Sequence, residues 1–95
     1  MITSKQRAKL RAIANGYDTI LQIGKSGISA ETITQADGAL KARELIKVRV
    51  LESSPITTRE AAQALSEKTD SDIVQIIGGR FILFRRNHKE PKIEV

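Results

Sequence analysis

Apolar and polar positions recur with two different periods along this chain, and each change of period marks the edge of an element. Leu10, Ile13 and Ala14 fall on one helical face, flanked by Lys5, Arg7, Lys9 and Arg11, the spacing of an amphipathic helix. Thr3-Ser-Lys-Gln6 is a capping-box pattern and Asn15-Gly16 a helix stop, which predicts a helix from Ser4 to about Ala14. Thr19–Ile23 is a short β-prone run that ends at Gly24-Lys-Ser-Gly27. Ile28 and Ile33 are spaced as a hydrophobic staple around an N-cap at Ser29, and Ile33, Ala36 and Leu40 carry one face on to about Arg43. Leu45–Leu51 alternates apolar with basic, as a strand with one buried face should. Ser53-Ser-Pro55 breaks it. Thr57 and Glu60 form a second capping box, and Ala61, Ala62 and Leu65 give a helix to about Lys68. Asp70-Ser-Asp72 reads as a loop. Ile73–Ile77 and Arg80–Arg85 read as strands joined by Gly78-Gly79, a dipeptide suited to a type I′ or II′ hairpin turn. Phe81–Phe84 is apolar on both faces, the mark of a covered strand. The charged tail from Arg86 to Val95, with Pro91 in it, is expected to be frayed or to form an edge.

The expected fold is therefore α/β, a compact single domain over residues 1–95 with element order αβαβαββ and a mixed four-stranded sheet packed with helices. Crossover helices between the first three strands favour parallel pairing, and the final hairpin adds an antiparallel partner. A chain of 95 residues buries roughly 60–65 % of its unfolded surface, enough for one modest core. With 40 % hydrophobic and 28 % charged residues it has ordinary globular composition. No apolar run is long enough to span a membrane, and no apolar segment follows the basic N-terminus as in a signal peptide. The absence of cysteine removes disulfides and thiolate chemistry. The expected compartment is the cytoplasm.

The formal net charge is +5, and it is unevenly spread. Residues 1–17 carry +4, residues 41–49 and 77–95 carry +3 each, and residues 51–76 carry −3. Such segregation is the footprint of a polyanion binder, although a solvated surface with a raised pI explains the charge alone equally well. Gly24-Lys25-Ser26-Gly27 sharpens the first reading. Glycines let a phosphate approach the backbone, Lys25 offers a point charge, Ser26 a hydroxyl, and the next helix points free N–H groups the same way. KH-type modules clamp a few nucleotides on such a loop. On spacing alone, a plain strand-to-helix turn remains the commoner role for two such glycines. A Walker A loop does not fit, because Thr19 stands where that motif needs glycine. Asp70 and Asp72 fall short of the ligand count of a calcium loop, and His88 sits in the polar tail. No nucleophile–base pair or metal cluster is visible, so neither an enzyme nor a cofactor is expected. The aromatics Tyr17, Phe81 and Phe84 offer no evident stacking platform, which leaves phosphate and shape as the basis of binding.

Taken together, Lys5-Gln-Arg7 through Leu10-Arg11, Gln22-Ile-Gly-Lys-Ser-Gly27, Ala39 to Val48, Val74-Gln-Ile-Ile-Gly78 and Phe81-Ile-Leu-Phe-Arg85 resemble the CRM domain. The likeness is closest to its stand-alone bacterial YhbY-like members and covers essentially the whole chain. It implies a fold similar to the C-terminal domain of translation initiation factor three, and an RNA-binding activity without catalysis. Stand-alone members associate with precursors of the large ribosomal subunit, and plant relatives assist intron splicing. The resemblance implies ribosomal RNA as partner; a monomer without a small-molecule substrate or membrane contact is the expected form. It assigns the glycine loop to Gly24, Lys25, Ser26 and Gly27, with Lys5, Arg7, Lys9, Arg11, Arg43 and Lys47 as neighbouring phosphate contacts. Glu44, in the same motif as Arg43 and Lys47, is expected to pair with a base. The chain departs from the family at Asn15-Gly-Tyr-Asp18, where a His-Pro-rich turn is common, and at Gly79, where a polar or basic residue is frequent. A protein–protein module of the translation machinery is the competing reading. A DNA-binding role is disfavoured because no helix-turn-helix fits.

Overall fold

Each helix starts where its side chains can satisfy the unpaired N–H groups of a first turn. In the computed structural model, which describes residues 2–95, Thr3 Oγ1 accepts from the Gln6 N–H at 3.1 Å and the Thr3 N–H donates to Gln6 Oε1 at 2.9 Å. That box opens α1, Ser4–Ala14. Thr57 and Glu60 repeat it at α3, Thr58–Thr69. At α2, Ala30–Arg43, Ser29 is the cap and Thr32 returns the second bond. The strands are β1 Leu21–Ile23, β2 Leu45–Val50, β3 Asp72–Ile77 and β4 Arg80–Phe84, giving the expected order αβαβαββ.

The strands form one mixed sheet in the spatial order β1-β2-β4-β3. β1 pairs parallel with β2, while β4 runs antiparallel to both β2 and β3. The first three strands thus point the same way, as crossover helices require, but β4 stands between β2 and β3. Its sequence explains the position, because Phe81, Ile82, Leu83 and Phe84 are all buried. Phe81 and Leu83 face α2 and α3 in a core shared with Ile23, Ile46, Val48 and Leu65. Ile82 and Phe84 face α1 with Leu10, Ala14, Leu45 and Val74. A positive φ of 57° at Gly78 alone marks the β3–β4 turn as type II′.

Element ends differ from the pattern by a residue or two. Thr19 and Ile20 lie outside β1, although the Ile20 N–H still reaches the Lys47 carbonyl at 3.1 Å. Asp72, expected in a loop, is the first residue of β3 because it pairs opposite Phe84. Helix α1 stops at Asn15-Gly16 without a left-handed glycine. Asn15 keeps right-handed geometry, and the turn is closed by the Tyr17 N–H on the Ala14 carbonyl at 2.9 Å.

The larger correction concerns the tail. Residues 86–95 do not fray: Ile93 is buried against the α1 core, and Arg86 Nη2 donates to the Val95 carbonyl at 3.0 Å. What holds this segment is Glu44, which is fully buried and, among the described residues, forms no ion pair with a base. Its carboxylate instead accepts the backbone N–H groups of Asn87, Lys92 and Ile93. Glu44 also ends α2 at a φ of 66° and a ψ of −40°, a sparsely populated conformation that costs on the order of 1–3 kcal/mol. Burial alone would raise the Glu44 carboxyl pKa, but the three N–H donors and the nearby Arg86 charge outweigh it and hold the group below the usual carboxylate range.

A depressed pKa stabilises the fold above the unfolded value and loses that contribution as pH falls. Glu44→Gln is therefore expected to lower stability at neutral pH by on the order of 2 kcal/mol. Below about pH 4.3, where wild type sheds the carboxylate's contribution, the gap between the two proteins should narrow. Thermal unfolding of both from pH 7 to pH 3 checks this; a constant gap would show that the ionised form is not what holds the tail.

Candidate nucleic-acid interface

Strand β1 ends at Ile23, and the Gly27 N–H donates to the Gly24 carbonyl at 3.0 Å, so residues 24–27 form a closed turn. Lys25 and Ser26 sit at its tip, both exposed. The two glycines have different reasons to be there. Gly27 is buried at a φ of 62°, and a Cβ on it would come within 3.3 Å of Pro55 Cγ. Gly24 has no positive φ, and a Cβ there would meet only ordinary contacts, Ser53 Oγ at 3.5 Å and Leu51 Cδ1 at 3.6 Å. The fold therefore demands glycine at 27 but not at 24.

The turn opens onto a shallow depression of about 240 Å³, shared with Gln22, Ser29, Glu31, Thr32 and Gln35 at the start of α2. Gly27 spends its N–H inside the turn, and Ser29 Oγ takes the Thr32 N–H. Available to an anion are the N–H groups at the tip, those of the first α2 residues, the Lys25 ammonium and the Ser26 hydroxyl. Glu31 in the first turn of α2 opposes an anion there and reduces what the helix start contributes.

The remaining sequence-derived residues do not gather around this turn. Lys5, Lys9 and Arg11 are exposed on α1. Arg7 is half-buried, and its Nη1 donates to the carbonyls of Ile73 and Val74, where β3 bulges between Ile73 and Gln75. This guanidinium fastens α1 to the outer edge of the sheet. Arg43 ends α2 at the opposite end of the sheet from the glycine turn, beside a hollow that Gly16, Tyr17 and Lys47 also line. Lys47 projects from β2 onto the α1 face between these two ends, half-buried. Arg49 and Arg80, which the sequence reading left unassigned, are exposed on that same face. The alternation Lys47-Val-Arg49 was the signal for the first of them, whereas strand register was needed for the second. Among the described residues the ion pairs are Arg85–Asp37 at 2.6 Å and Lys92–Glu90 at 3.7 Å. None of the basic residues assigned to binding takes part in them, and apart from Arg7, whose guanidinium is spent on the sheet edge, their charge is open to an outside polyanion.

Relatives point the same way. Over 95 residues the chain is 38 % identical to the Bacillus subtilis protein named "Probable RNA-binding protein YqeI", covering 100 % of this chain and 99 % of that one. A Haemophilus influenzae protein named "RNA-binding protein" is 28 % identical over 94 residues, 99 % of this chain and 94 % of its own. The fold matches the solution structure of a Staphylococcus aureus protein with a TM-score of 0.84 and 43 % identity, covering 100 % of this chain and 99 % of that one. The CRS1 / YhbY (CRM) domain model matches residues 2–85, which hold every helix and strand described above. With a family match of that extent and relatives alike from end to end, the chain belongs to the CRS1 / YhbY (CRM) domain family.

Proposed function

We propose that this chain is a non-catalytic RNA-binding protein that grips the sugar-phosphate backbone through the Gly24–Gly27 turn and the basic surface beside it. The observation that carries this reading is the turn itself. Its ends are locked to each other, its tip presents Lys25 and Ser26 to solvent, and it stands directly before a helix N-terminus. Such an array places fixed N–H dipoles and a mobile ammonium around one phosphate. The names of the relatives support RNA as the polyanion. Phe81 and Phe84 are buried, so neither can stack on a base, and affinity rests on phosphates. The finer reading is that the RNA is ribosomal and belongs to large-subunit precursors. It rests on the end-to-end resemblance to the stand-alone bacterial CRM proteins. On this reading the protein acts as a monomer in the cytoplasm.

The double substitution Lys25→Glu/Ser26→Glu should weaken binding to purified large-subunit ribosomal RNA at least about tenfold. The thermal midpoint should barely move, because both side chains are exposed. Undiminished affinity in the folded double mutant would sink the assignment of the turn.

The two glycines should separate folding from binding. Gly27→Ala is expected to destabilise by about 1–2 kcal/mol, from its positive φ. Gly24→Ala should fold as wild type yet bind RNA several-fold more weakly, since its Cβ adds bulk where the backbone meets the ligand. Fluorescence anisotropy with labelled RNA and thermal unfolding read the two effects. Wild-type affinity in Gly24→Ala would mean that no phosphate comes close to that backbone.

For the ribosomal reading, sucrose-gradient sedimentation of a lysate is expected to show the protein with large-subunit precursors and to lose it from them after ribonuclease. Migration only at the top of the gradient, at low and moderate salt alike, would remove the support for a ribosomal partner.

A further inference from the structure

Helix α1 covers only part of its face of the sheet. It packs over Leu45, Phe84 and Val74, near the start of β2 and the end of β4. The half nearer the glycine turn carries no helix, and a single registered row crosses it: Gln22 opposite Arg49, Arg49 opposite Arg80, Arg80 opposite Ile77. All four residues are exposed, Ile77 to 61 %.

Arg49 and Arg80 are the unusual pair in this row. The Val50 N–H donates to the Gly79 carbonyl and the Arg85 N–H to the Glu44 carbonyl. Alternation along the antiparallel β2–β4 ladder then makes 49–80 a non-hydrogen-bonded pair, the kind whose Cα atoms lie about 4.5 Å apart and whose side chains stand closest. Like charges in such a position destabilise a sheet. Neither guanidinium has an ion-pair or hydrogen-bond partner among the described residues. The only acid in the four strands is Asp72, opposite Phe84 at the far end of the sheet.

We propose that Arg49 and Arg80 clamp a second backbone phosphate of the bound RNA, so that the strand held at the glycine turn continues across the open half of the sheet. The inference rests on the RNA-binding reading of that turn and extends it to a path. Gln22 connects the two, because it lines the depression before the turn and also stands in register beside Arg49. From β1 to β3 the row spans about 14 Å at the usual strand spacing. Two converging guanidinium forks suit one phosphate, Gln22 offers an amide, and Ile77 gives a ribose or base an apolar contact. The mutual repulsion of the arginines is relieved when the anion arrives.

The test compares wild type, Arg49→Gln/Arg80→Gln, Lys25→Glu/Ser26→Glu and a charge-matched control, Arg59→Gln/Lys68→Gln on α3, against purified large-subunit ribosomal RNA over a range of salt. The arginine double mutant should lose about tenfold or more in affinity at low salt, and its slope of log K against log salt should flatten by about 1. Its thermal midpoint should equal or exceed that of wild type, because a like-charge pair has gone. The α3 control should bind nearly as wild type. Wild-type affinity in the arginine mutant, with the turn mutant defective, would overturn the clamp and leave the RNA-binding reading standing. An equal loss in the α3 control would reduce the effect to net charge, and a lowered midpoint in the arginine mutant would make the pair structural; either result overturns the clamp. If wild type binds no ribosomal RNA even at low salt, both readings fall together.

Discussion

A strand that is apolar on both faces can be hidden only if something covers each face, and Phe81–Phe84 imposes that condition on the whole molecule. It places β4 inside the sheet, between β2 and β3. It calls α2 and α3 to one face and α1 to the other. The coverage is unequal. Two longer helices pack on one side, while α1, at 11 residues, is about 16 Å long and shields only part of the other. The exposed half-sheet follows from that mismatch, and the glycine turn, which follows the end of β1, lies at its margin.

Charge is distributed to match. The basic side chains of β2 and β4 that reach solvent, Lys47, Arg49 and Arg80, all project onto the half-covered face. Other bases are taken up in holding the fold. Arg7 fastens α1 to the bulged edge of β3, and Arg85 joins the end of β4 to Asp37 on α2 and to the last carbonyl of α3. Net charge is therefore a poor guide to the binding surface of this protein. The useful distinction lies between bases whose hydrogen bonds end within the chain and bases left to solvent. Glu44 shows the same division for acids, since its carboxylate is spent on the C-terminal segment, whereas Glu31 stays exposed beside the glycine turn.

Most of the fold was legible because its signals are local. Capping boxes at Thr3 and Thr57, the N-cap at Ser29, the Gly78-Gly79 turn and the apolar run at Phe81 each act within a few residues. The glycine turn was legible for the same reason. What escaped depends on partners distant in sequence. Periodicity reveals that a strand is covered but not which strands flank it, so the place of β4 was hidden. Glu44 takes its N–H donors from 43 to 49 residues downstream, and nothing in the charged tail marks them as its partners. Arg7 looked like one more cation on a basic helix, because its true contacts exist only once β3 bulges beside it. The closeness of Arg49 and Arg80 exists only in the register of the β2–β4 ladder.

The proposed role of the turn and of the open half-sheet requires a phosphate backbone as the ligand of the face around the glycine turn. The most direct measurement is the affinity of the intact chain for large-subunit ribosomal RNA from about 50 to 300 mM KCl, with duplex DNA as competitor. If Lys25, Lys47 and the Arg49–Arg80 clamp each neutralise one phosphate, log K should fall against log salt with a slope of about −2 to −3, and excess duplex DNA should displace little of the RNA. A flat dependence, or full displacement by duplex DNA, would contradict an RNA-backbone interface on this face.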